Sequence, residues 1–167
     1  MKKYGFVPIS EFIFNKSFYD ICATNKCGKY GTNWSCPPGA GTYEELLKSI
    51  HRFDTGLVIQ TVWTIADSFD IEGMLDSGKK HDKILRPLVK NLRMVIPAPA
   101  LILSAGACEL CETCSYVLKR PCIMPDKAFG SLEAHGVDVT ALVTNCGLKY
   151  NNGPNTVSYV GVVMFND

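Results

Sequence analysis

The sequence predicts an α/β (or α+β) protein, with a small mixed sheet, flanking helices and two cysteine-rich loops. Segments rich in β-branched and aromatic residues recur between segments whose apolar residues follow helical spacing. Apolar residues make up 47% and charged residues 20% of the 167 positions, which provides a core for one compact domain over residues 1–167 and argues against disorder. No internal repeat and no long linker divides the chain.

Residues 1 to about 20 mix aromatics such as Tyr4, Phe6, Phe12 and Phe18 with polar residues and suit a short helix or strand. From Cys22 to Gly41 the composition shifts to Gly, Pro, Asn and Lys, which sustains neither helix nor central strand and reads as an ordered loop. Thr42, followed by Glu44 and Glu45, opens a helix to about Arg52. Leu57 to Ile65 is a strand. Asp70 to Leu92 has helical spacing, with a break expected near Gly78. Pro97-Ala98-Pro99 is a rigid connector into a short buried strand, Ala100 to Leu103. Ser131 with Glu133, then Val137 to Leu142, predict a helix ending at Gly147. A turn over residues 151–155 leads into a last strand, Thr156 to Phe165.

The charge balance excludes several functions. Seventeen basic against sixteen acidic side chains leave a net charge of +1, without the basic excess that nucleic-acid or membrane-surface partners require. No apolar run approaches the roughly 18 residues of a membrane span. Pro8, Glu11 and Asn15 interrupt any signal-peptide core. The expectation is a soluble, cytoplasmic protein.

Eight cysteines, at 22, 27, 36, 108, 111, 114, 122 and 146, stand out in such a chain. Without a secretory signal, and with enough apolar material for a core, thiolates bound to metal are a better reading than four disulfides. Cys108-x2-Cys111-x2-Cys114 has the spacing with which thiolates wrap one side of a 4Fe-4S cubane, and Cys122 follows eight residues later. Zinc instead favours paired C-x2-C units around a tetrahedral site. Inert buried thiols are disfavoured, because three clustered loop cysteines fit poorly into a core. Cys22-x4-Cys27-x8-Cys36 forms the second group. Its glycines let backbone N–H groups approach sulfur, and Lys26 and Lys29 offset thiolate charge.

Cys146, at a helix end, reads as a core residue. His51, His81 and His135 read as solvent-exposed, with His135 as an alternative donor near the second cysteine group. Trp34 and Tyr116 flank the cysteines and would shield a site from water or simply pack. There is no nucleophile elbow, P-loop, dinucleotide fingerprint or HExxH.

The chain resembles the family of predicted metal-binding proteins designated domain of unknown function 2284. The resemblance is carried by Cys22-x4-Cys27, Tyr30-Gly-Thr-Asn-Trp-Ser-Cys36-Pro-Pro, Cys108-x2-Cys-x2-Cys114, Pro121-Cys122 and Ser131-Leu-Glu-Ala-His-Gly-Val-Asp138-Val. It implies metal binding through the seven shared cysteines: Cys22, Cys27, Cys36, Cys108, Cys111, Cys114 and Cys122.

Three readings follow. The first is an iron–sulfur protein with one or two 4Fe-4S clusters that passes electrons to a redox partner protein. The second is an enzyme whose three-cysteine cluster leaves one iron open to a small-molecule substrate. The third is a structural or regulatory zinc protein. Cysteine partition has two solutions. Ferredoxin logic exchanges Cys36 and Cys122 between the groups, whereas the long gap before Cys122 lets it fold back onto Cys108, Cys111 and Cys114, which is preferred.

Overall fold

Two ten-residue segments with hardly a break in their apolar character, Thr55–Thr64 (β2) and Thr156–Phe165 (β5), pair antiparallel over their whole length. Such runs suit strands buried on both faces. The computed structural model, which describes residues 1–166, places β5 at the sheet centre although it is last in sequence. Lys2–Pro8 (β1) pairs antiparallel with β2. On the other side β5 pairs antiparallel with Leu101–Ser104 (β3), and β3 pairs parallel with the two-residue strand Gly130–Ser131 (β4). The sheet is therefore mixed, in the order β1-β2-β5-β3-β4.

Alternation along β2 and β5 sends side chains to two separate cores. Val58, Val160, Val162 and Met164 join Val7, Ile50, Leu132, Leu142 and Val143 on one face. Leu57, Ile59, Val163 and Phe165 join Leu85, Val89, Ile102 and Phe129 on the other. The helices are Lys16–Cys22 (α1), Tyr43–Ile50 (α2), Ile71–Leu92 (α3) and Val139–Asn145 (α4). α2 opens after the predicted N-cap, Thr42, and Glu45 completes a reciprocal capping box with it. α3 lies along the second face through Leu85 and Val89. No helix is long and apolar enough to cross a membrane.

Three sequence expectations need correction. α3 runs without a break through Gly78, because a side chain there would meet the Tyr159 ring, at 3.0 Å from Cβ to Cε1. The glycine lets the helix approach β5, and that packing outweighs its low helix propensity of about 1 kcal/mol. Ser131 and Glu133 start no helix: Ser131 ends β4, and the helix begins after Asp138, whose carboxylate accepts the Ala141 N–H at 2.9 Å. Cys22 is the last residue of α1 rather than part of the loop.

The fold brings the cysteine segments together at the C-terminal end of β3. Ser104 leads directly into the segment that carries Cys108 to Cys122, and its carbonyl accepts the Leu132 N–H at 3.0 Å from just beyond β4. The 23–42 loop joins α1 to α2 and reaches the same end of the sheet, where Asn33 meets Cys108.

Candidate metal centre

The Gly- and Pro-rich loop is ordered by its own backbone. Gly31 N–H donates to the Pro37 carbonyl at 2.9 Å, Ala40 N–H to Cys36 at 2.9 Å, and Tyr30 N–H to the Asn25 side chain at 3.0 Å. Asn33 and Ser35, both buried, then form a joint with the second loop. Asn33 Oδ1 accepts from the Ser35 N–H and hydroxyl, both at 2.8 Å. Asn33 Nδ2 donates to the Cys108 carbonyl at 2.7 Å, and Cys108 N–H donates to Ser35 Oγ at 2.8 Å. Both polar groups of Cys108 are thereby held by one tripeptide. A second tie crosses nearby, where the Trp34 indole N–H donates to the Arg120 carbonyl at 3.1 Å and its ring meets Tyr116 edge-on at 4.9 Å between centroids. Lys29 lines a cavity with Cys108, Cys111 and Cys114 and pairs with Glu109 at 3.2 Å, a half-exposed ion pair worth at most about 1 kcal/mol.

The thiols divide into two sets. Cys108, Cys111, Cys114 and Cys122 line one cavity of about 440 Å³, together with Trp34, Leu110 and Phe129. Within it, burial pushes the Cys111 thiol above its ordinary pKa, and the other three cysteines add to the effect. Cys22, Cys27 and Cys36 form the second set. Burial raises the Cys36 thiol, with the Ser35 hydroxyl at 3.8 Å from its sulfur pulling the other way, and Cys27 and Cys22 raise it further. Cys22 is likewise raised by burial, then by Cys27.

A carboxylate accompanies the second set. Glu133 raises the pKa of both Cys22 and Cys36, and its Oε2 accepts from Ser131 Oγ at 2.7 Å and from Gly106 N–H at 3.1 Å. In sequence Glu133 carries only a helix signal, and nothing local ties it to the cysteines. Asn33 and Ser35 carry no ligand signature either, although two small polar residues beside Cys36 are suited to hydrogen-bonding a neighbouring backbone.

Cys146 lies apart from both sets. It packs against the first core beside Gly5, and its thiol donates to the Val143 carbonyl at 3.2 Å. All eight cysteines are free thiols. Among the described residues, no three His, Cys, Asp or Glu side chains close onto a single point as the ligands of one ion do. The set of four instead stands around a cavity.

Two histidine expectations are overturned. His81 is 2% exposed, with Nδ1 2.8 Å from Thr61 Oγ1, and His135 is 4% exposed, with Nδ1 donating to the Ser131 carbonyl at 2.7 Å. Both are captured by the sheet, which their charged sequence neighbours conceal. His51 is exposed, as expected.

A family described as predicted metal-binding protein (DUF2284) matches residues 5–165, nearly the whole chain. Neither a curated relative nor a solved structure matches.

Proposed function

We propose, for a chain that belongs to the DUF2284 family of predicted metal-binding proteins, that the two thiol sets hold two 4Fe-4S clusters and that the protein passes electrons to a partner. Cys108, Cys111, Cys114 and Cys122 would hold one cluster; Cys22, Cys27 and Cys36 would hold the other. The observation that carries this reading is the division of the loop thiols into a set of four around one cavity and a separate set of three. When bound, such clusters supply one-electron redox chemistry. The chain's own residues hold the two sites side by side: Ser35 touches the Cys36 sulfur on one side and the Cys108 N–H on the other. Trp34 lines the cavity, held edge-on against Tyr116, and limits water there, which lowers a cluster's potential.

A second reading is favoured by Glu133. With Cys146 in the core, the set of three has a carboxylate as its neighbour and no fourth thiol. A cluster held by three thiolates leaves an iron for an oxygen ligand, either Glu133 or a small-molecule substrate, and the protein would then be an enzyme.

Iron, acid-labile sulfide and zinc content, with a visible spectrum, on protein purified without oxygen, tests both readings. About eight irons and eight sulfides per chain with broad absorption near roughly 400 nm are expected of two cubanes. Stoichiometric zinc in colourless protein would overturn both. With iron present, an EPR signal of one cluster that shifts when cyanide or a small thiol is added supports the second reading, Glu133→Ala that alters the signal by itself makes Glu133 the closing ligand, and a spectrum that neither changes removes the reading.

A further inference from the structure

A second cavity of about 550 Å³ lies next to the four-cysteine cavity and shares Leu110 and Phe129 with it as a common wall. Its volume falls within the roughly 300–1,000 Å³ of small-molecule sites. The floor is apolar, from Pro87, Val89, Leu110 and Phe129. The rim is cationic: Arg86 and Lys90 on α3 and Arg93 at its C-cap stand with Lys127 from the loop, and Asp126 is the one carboxylate among the described residues lining the cleft.

The rim is also fixed. Arg86 lies over the Phe129 ring at 4.5 Å, donates from Nη1 to the Lys127 carbonyl at 2.6 Å and pairs with Asp82 through Nε. Arg93 Nη1 donates to the Asp126 carbonyl at 2.5 Å. Each guanidinium therefore spends one Nη1 donor on the loop, and its Nη2 group has no partner among the described residues. Lys90 and Lys127 form no ion pair among the described residues. A chain with almost no net charge concentrates four cations around one apolar floor.

We propose that this cleft binds a small organic anion, an apolar or aromatic body bearing a carboxylate, sulfonate or phosphate group. The apolar part would sit on Leu110 and Phe129, and the anionic group would face Lys90 and Arg93. Its position beside a redox centre rests on the reading of Cys108 to Cys122 given above; the cleft and its charge do not.

Equilibrium dialysis of the full chain, purified without oxygen, against anilinonaphthalene sulfonate and its uncharged counterpart N-phenylnaphthylamine tests the proposal. One sulfonate per chain is expected, bound at least tenfold more tightly than the neutral compound at low salt. Lys90→Glu/Arg93→Glu should weaken sulfonate binding about tenfold or more, a loss expected from reversing two exposed charges. Lys48→Glu, on α2, should leave it unchanged. Circular dichroism melting checks that the double variant is folded, and Lys90→Gln/Arg93→Gln repeats the test if it is not. Equal binding of the two compounds, or equal loss in the Lys48 variant, would overturn the proposal, as would no binding at all. Iron and zinc content measured on the same samples reports separately: stoichiometric zinc without iron removes the cluster reading, and sulfonate binding that persists in such protein leaves the cleft standing.

Discussion

Asn33 Nδ2 lies 2.7 Å from the carbonyl oxygen of Cys108, a contact between residues 75 apart in sequence that joins the two cysteine loops. Ser35 closes the other side of the same residue by accepting the Cys108 N–H. A buried hydrogen-bond group left without its partner costs about 1–3 kcal/mol.

Asn33→Ala should therefore lower stability by about 1–3 kcal/mol, because it frees Ser35 and the Cys108 carbonyl together. It should also lower metal content in both thiol sets, which a single-loop role would not do. Urea unfolding and metal analysis on one preparation check this. Loss confined to one set would show that the joint is not shared.

Cys122→Ala should remove the same spectroscopic component as Cys108→Ala, since both line one cavity with Cys111 and Cys114. Cys146→Ala should leave the metal content unchanged, because its sulfur is packed beside Gly5 against the first core. EPR on the three variants reads this directly. A changed signal in Cys146→Ala would make that thiol the missing fourth ligand.

Acid should weaken the fold through His81. Burial holds its pKa at about 4 against the ordinary 6.5, with Asp82 pulling slightly upward. The unfolded chain takes up that proton below 6.5 and the folded chain only below about 4. Stability from this group is thus complete above pH 6.5 and falls as pH drops toward 4, by on the order of 3 kcal/mol in all. Urea midpoints measured across that window should fall in the parent chain and stay flatter in His81→Leu. Parallel slopes would assign the acid sensitivity to other groups.

Gly161 meets the Leu85 side chain so closely that a Cβ would stand 2.5 Å from Leu85 Cδ2, and Leu85 is fully buried. Gly161→Ala should cost about 1–3 kcal/mol by overpacking. Adding Leu85→Ala should relieve part of that cost, so that the double variant is more stable than the sum of the two single losses. Additive losses in denaturant titrations would rule out the contact.

Much of this protein is legible in its residues alone. The capping box at Thr42 and Glu45 and the β-branched runs of β2 and β5 depend on neighbours a few residues away, so local spacing reveals them. Cys108-x2-Cys-x2-Cys114 stands out in the sequence for the same reason, its three thiols falling within seven residues. Membership in the metal-binding family rests on a match over residues 5–165.

Tertiary structure decided the rest, because those relationships join residues that sequence distance separates. Gly78 weakens a helix locally, yet Tyr159, 81 residues later, makes it the residue that lets the helix pack. His81 and His135 stand among charged neighbours and are buried by a sheet whose partners lie elsewhere. Glu133 looks like a helix signal until the turn after β4 fixes its carboxylate on Ser131 and Gly106, where its charge raises the Cys22 and Cys36 thiols. The two cysteine loops become neighbours only when β3 pairs with β5 and Asn33 reaches Cys108. Local spacing records which groups can bind metal; long-range pairing determines which of them share a site.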